Sequence, residues 1–146
     1  MNQTVPTTEI NLTRKIDARP EEVYKVWLDQ TSPASPWYGV PKVILYPAEV
    51  DSLFYSMYQI EGREIAHYGR FLTLEKPHKI QYTWVSEATH GMESIVTVSL
   101  TPLEEKTQVD LCHTNVPDDE GGHNHKRAWG FVLGRMSSYF VKNKPN

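Results

Sequence analysis

Cys112 and His113 stand side by side, the only thiol of the chain next to an imidazole. A thiol beside a base is the pairing that nucleophilic catalysis uses. The pattern around them argues against it. In "TQVDLCHTNV" (107–116), Val109, Leu111 and His113 fall at every second position, the period of a strand. Adjacent strand residues point to opposite faces, so Cys112 and His113 cannot meet across one face. His113 is expected inward, as a buried polar group hydrogen-bonded to backbone or ligand. His123 and His125, with the acidic "DDE" at 118–120, invite a metal reading together with His113. Their spacing matches no common zinc pattern, so no metal is expected, and His123 and His125 read as surface residues. Glu104–Glu105 sits in a turn and Glu21–Glu22 opens a helix, so both read as solvated charges. There is no G-x-S-x-G elbow and no Gly-rich phosphate loop after a strand. No catalytic residue and no cofactor are expected. Any enzymology would be cavity chemistry, with His113, Tyr82 or Arg70 orienting a substrate.

The aromatic residues carry a different chemistry. The chain has eight tyrosines and four tryptophans. In "KIQYTWVSE" (79–87), Ile80, Tyr82 and Trp84 share one face. Near the C-terminus, Trp129, Leu133, Met136 and Phe140 recur at helical spacing, with Gly130, Gly134 and Ser138 in a second stripe beside them. Rings with a polar edge suit a planar organic ligand, and they also suit an ordinary core. An interior glycine costs a helix about 1 kcal/mol against alanine. The glycine stripe therefore needs a reason, either close packing against a neighbouring element or room for a ligand.

Those residues must be held by the elements around them. "TEINLTRKID" (8–17) reads as a strand with one buried face. "ARPEEVYKVWLD" (18–29) changes to helical period, with Pro20 at its first turn and Val23, Val26 and Trp27 on one side. "QTSPASPWYGVP" (30–41) is broken by proline and is expected to hold a single helical turn around Trp37. Strands are expected at 42–50, 52–61, 63–75, 79–87, 93–103 and 107–116, with "EG" at 61–62 as a tight hairpin. In the run 53–60 both faces are apolar, which pocket lining on one side and a dimer contact on the other would explain. A loop at 117–124 leads to a helix over about 124–142. Short connections imply an antiparallel meander, and only the last helix is long enough to cover its apolar face. The expected fold class is α+β: a curved antiparallel sheet of six to seven strands around a long C-terminal helix, with two short helical pieces between the first two strands. One domain is expected at 8–143, with tails at 1–7 and 144–146.

Composition narrows the partners. A net charge of −3 speaks against nucleic acid or an anionic membrane. One cysteine, no apolar leader at the N-terminus and no long apolar run fit a reducing, cytoplasmic setting.

Several segments resemble a known group in combination: "IDARPEEVYKVWLD", "SPWYG", "GRFLTLEKPHKIQYTW", "ESIVTVSLTPLEEKTQVDLCHT" and a Trp-Gly pair in the last helix. Over about residues 9–142 they are similar to the START-related, Bet v 1-like (SRPBCC) superfamily. Within it they resemble the bacterial branch similar to the C-terminal domain of the activator of heat-shock-protein ATPase. Two positions depart from that branch. "AEVDSLFYSM" stands where relatives carry a Gly-Gly pair, and Ala128-Trp129-Gly130 stands for Gly-Trp. The resemblance implies a helix-grip fold and a cavity between sheet and helix for an apolar molecule. We expect a small hydrophobic, aromatic or lipid-like ligand, in a stress or sensing role, bound by Trp37, Tyr82, Trp84, His113, Trp129, Gly130, Leu133 and Met136. The alternatives it implies are a chaperone-binding or homodimeric interaction module and a polyketide cyclase or aromatase.

Overall fold

Alternation of apolar and polar residues along most of the chain produces strands, and they assemble into one sheet. The computed structural model of the protein describes residues 5–45 and 47–143. The order is β1 (Thr7–Ile16), α1 (Pro20–Trp27), β2 (Lys42–Ile44), β3 (Leu53–Ile60), β4 (Arg63–Glu75), β5 (Lys79–Trp84), β6 (Ser94–Leu103), β7 (Lys106–Pro117) and α2 (Glu120–Lys142), with a 3₁₀ turn at Glu87–Thr89 before β6. The seven strands lie in the order β1-β7-β6-β5-β4-β3-β2, every pair antiparallel. The α2 helix covers the concave face through Trp129, Leu133, Met136 and Phe140, all buried. This is the α+β helix-grip architecture that the sequence implies.

Local chemistry explains the joints. Glu61 and Gly62 both have positive φ, 51° and 78°, as a two-residue turn matching the right-handed strand twist requires. That turn sets the register of β3 on β4, pairing Tyr58 with Ile65 and Ser56 with His67. Gly69 faces Phe54 in the same ladder, and the Phe54 ring lies where a Cβ would stand. Arg19 precedes α1 in extended conformation, and Pro20 begins it.

Four boundaries differ from expectation. The segment around Trp37 forms successive turns rather than a helical piece, so only one short helix follows β1. Prolines at 33, 36 and 41 break each helical start before it propagates. The second strand stops at Ile44 instead of running to residue 50, because Pro47 cannot donate to a ladder. The fifth ends at Trp84, and Ser86 then caps the 3₁₀ turn. The last helix begins at Glu120 rather than near residue 124. Its Gly121-Gly122 pair reads as loop, yet the Asp119 carboxylate accepts from the Gly122 N–H at 2.8 Å and caps the first turn. Of the expected tails, residues 1–4 and 144–146 lie outside the described residues, while Thr7 already belongs to β1.

The two faces of β3 differ. Phe54 and Ser56 are buried inward, and Leu53 on the outer face is 65% exposed. Ile44, Tyr55 and Tyr68 continue an outer row across β2, β3 and β4, with the two tyrosine rings 5.3 Å apart.

Candidate functional site

The core below α2 is filled by rings. Tyr82 is fully buried, receives a hydrogen bond from Trp27 Nε1 at 3.4 Å, and packs against Trp37 and Phe54 at centroid distances of 5.7 and 5.4 Å. Leu133 and Met136 press on the same core. Space opens to one side of it, where the β3–β4 hairpin, the 3₁₀ turn and the first half of α2 diverge. There a cavity of about 570 Å³ opens. The hairpin contributes Tyr58, Ile60, Ile65 and His67, the 3₁₀ turn Glu87, Ala88 and His90, and the 30–40 segment Pro36 and Trp37. Trp84 closes the sheet side, and α2 presents Gly121, Asn124, His125, Ala128, Trp129 and Val132 at helical spacing, with its cap Asp119 at the rim.

Three tryptophans line this space, and hydrogen bonding fixes one of them. Trp129 Nε1 donates to His113 Nδ1 at 3.0 Å. An indole nitrogen can only donate, so His113 Nδ1 is bare and its proton sits on Nε2. His113 Nε2 then donates to Ser94 Oγ at 2.8 Å, and Ser94 Oγ donates to the Trp84 carbonyl at 2.6 Å. One chain of three hydrogen bonds thus joins α2, β7, β6 and β5, with the Trp84 and Trp129 rings 5.5 Å apart. Burial holds His113 neutral, pushing its pKa down to about 3, and the nearby His125 adds to the effect. The indole N–H groups of Trp37 and Trp84 are buried without a partner among the described residues.

The other titratable groups differ by depth. His67 packs edge-on against Tyr58 at 4.7 Å, and burial lowers its pKa to about 4 against a smaller opposing effect of the Ile65 backbone. Burial pushes the Tyr58 phenol up to about 12. His125 is lowered by burial, with the Gly122 backbone and Asp119 acting the other way. At the rim, His90 Nε2 meets Asp119 Oδ2 at 2.8 Å, and Arg63 meets Glu87 at 2.9 Å. Among the described residues, no group of three or more His, Cys, Asp or Glu is arranged to hold a metal ion.

Of the residues singled out in the sequence, Trp37, Trp84 and Trp129 line the cavity together. Tyr82, His113, Leu133 and Met136 are buried beside it, in the core and in the network that steadies Trp129. Gly130 is half-buried and outside the lining; at 100° per residue it falls on the flank of α2 opposite Ala128 and Val132. A Cβ at Gly130 or Gly134 would meet no atom within 4 Å, so no neighbour keeps either position small. His125, read as a surface residue, is buried in the cavity wall. Tyr58 and Ile60 belong to the 53–60 run, for which pocket lining on one side was one reading, whereas sequence reasoning missed Ile65 and His67. Their signal was the two-faced apolar run of β3 and its mirror across the "EG" turn.

The family described as Activator of Hsp90 ATPase homolog 1-like protein matches residues 17–141. The chain belongs to this family. Membership implies a protein built around a hydrophobic cavity. No curated protein matches the chain. Among solved structures, protein CV1439 from Chromobacterium violaceum is similar, with a TM-score of 0.77 at 26% identity over 91% of this chain and 96% of that one. The Aha1 dimer from Colwellia psychrerythraea gives 0.70 at 17% identity, over 94% and 99%. Ara h 8.0201 gives 0.74 at 8% identity, over 94% and 100%. The last two likenesses are of fold alone. Among the described residues, no helix is long and apolar enough to cross a membrane.

Proposed function

We propose that the protein binds a small, mostly apolar, aromatic ligand between the β3–β4 hairpin and the N-terminal half of α2. The observation that carries this reading is the 570 Å³ cavity with Trp37, Trp84 and Trp129 in its walls. A volume of that order suits a small organic molecule, and aromatic walls favour a flat one. The steadied Trp129 supplies a preformed surface, which lowers the ordering cost of binding. Family membership supports the same direction.

The test is an amide NMR titration with flat aromatics, sterols and fatty acids, on wild type and on Ala128→Trp. Ala128 is exposed on α2 yet lines the cavity, so a large ring there fills the space without entering the core. Shifts should cluster at 58–67, 84–90 and 121–132 with aromatic ligands. The variant should lose at least about tenfold in affinity, with stability within about 0.5 kcal/mol of wild type. Unchanged affinity in Ala128→Trp would place the ligand elsewhere. Leu133 is a poorer site for this test, since enlarging a core residue would overpack it.

A second reading, a protein partner, draws on the outer row of Ile44, Leu53, Tyr55 and Tyr68 at the β2 edge of the sheet, exposed except for the half-buried Tyr55. A solved relative of the same fold is a dimer. Self-association through this row would make the sedimentation coefficient rise with concentration in wild type and stay constant in Leu53→Asp. A wild-type value that does not change with concentration counts against it.

A further inference from the structure

His125 has a feature that the shape of the cavity alone does not express. Its Nδ1 lies 2.9 Å from the Gly122 carbonyl oxygen, one turn earlier on α2. A carbonyl can only accept, so Nδ1 carries the proton and Nε2 of the neutral ring is a bare acceptor. No described residue donates to Nε2, while the ring is buried and forms part of the cavity wall. The His113 ring stands edge-on at 5.0 Å, and burial disfavours a charge on either ring.

The charges around the cavity add a second restriction. Glu87 and Asp119 line it, and among the described residues no lysine or arginine does. Arg63 is engaged with Glu87, and Arg135 donates to the Ser35 carbonyl; neither reaches the lining. A carboxylate ligand would lose its hydration and meet two carboxylates, while the Arg63 guanidinium is already paired with Glu87. A ligand with a hydrogen-bond donor would satisfy the open acceptor at His125 Nε2.

We propose that His125 Nε2 accepts a hydrogen bond from an uncharged aromatic ligand that carries a hydroxyl or N–H group, and that the cavity excludes aromatic and aliphatic carboxylates. The proposal rests on the cavity reading above and names the ligand chemistry at that site.

A matched set of probes tests it: 4-hydroxybiphenyl, 4-methoxybiphenyl and biphenyl-4-carboxylate, titrated at neutral pH by calorimetry or NMR. The three share one apolar frame and differ in donor, acceptor and charge. In wild type, the hydroxyl probe should bind about 3- to 10-fold tighter than the methoxy probe, the worth of one neutral hydrogen bond. The carboxylate should bind roughly tenfold weaker than the methoxy probe or worse. His125→Leu should remove the hydroxyl preference. Equal affinity of the hydroxyl and methoxy probes in wild type would overturn the assignment while leaving the cavity reading intact. So would a preference that survives in His125→Leu, or tightest binding by the carboxylate. The wild-type comparison stands whether or not the variant folds. Binding by none of the three would overturn the cavity reading itself.

Discussion

Gly69→Ala and Gly122→Ala are each expected to destabilise the protein by about 3 kcal/mol or more, while Gly130→Ala and Gly134→Ala each stabilise it by up to about 1 kcal/mol. The residue change is the same and the surroundings decide its sign. At Gly69 a Cβ would overlap the Phe54 ring and the Thr83 carbonyl oxygen. The ring has little room to yield, because Phe71, Tyr82 and Trp84 surround it at 5.1, 5.4 and 6.3 Å. At Gly122 the overlap is with the Pro117 carbonyl, backbone at the end of β7, so the first turn of α2 would have to move. At Gly130 and Gly134 nothing lies within 4 Å, and alanine only reduces the freedom of the unfolded chain. Urea unfolding of the four variants measures this directly. Equal effects at all four positions would contradict the packing described for the β3–β4 ladder and the β7–α2 junction.

Acidification should unfold the protein for a reason that lies in its buried histidines. An unfolded histidine titrates near 6.5, whereas His113 and His67 in the folded protein are lowered to about 3 and about 4. As pH falls below 6.5 the unfolded chain therefore takes up protons first, and stability present at pH 7 is progressively lost. Between pH 7 and 5 each of the two contributes about 2 kcal/mol of loss, a large share of a typical stability of about 5–15 kcal/mol. The loss levels off only below the folded-state values. His125, lowered in the same direction, adds to it. Urea midpoints at pH 8, 7, 6 and 5 should fall steeply over the last two steps. A flat profile would mean that these rings titrate alike in both states and are not held neutral by burial.

How much of this was legible in the sequence depended on which physical effect controlled each feature. The inward face of β5 and the α2 stripe were readable because burial on one side imposes a period on a strand or helix, and Ile80, Tyr82, Trp129, Leu133 and Met136 follow it. His113 was readable inward for the same reason, but its partner was not. The Trp129 indole reaches it from another element, and no local rule pairs residues 16 positions apart on different elements. The cavity was misplaced along the helix. The aromatic residues that suggested a pocket around Tyr82 and Met136 are the ones that fill it, and the void lies where the hairpin and α2 diverge. That divergence is set by the turns at 30–40 and by the start of α2, and propensity reads those segments least well, because tertiary contacts such as the Gly122–Pro117 approach override it. The same override hid the first turn of the helix behind a Gly-Gly pair.

The β1–β7 ladder has a consequence during synthesis. Strands β3 to β6 pair with neighbours in sequence and can zip up as they leave the ribosome, whereas Ile10 finds its partner only at His113 and Ile16 at Thr107. Until β7 emerges, the nascent chain carries β1 as an unpaired strand, and β6 keeps the edge that β7 will cover open. Closing a loop of that length is slow compared with hairpin formation, so sheet completion waits until β7 has emerged and falls together with the docking of α2. Truncated chains that stop short of β7 should therefore be the ones most dependent on chaperones, and the grip of sheet on helix should form in a single late step.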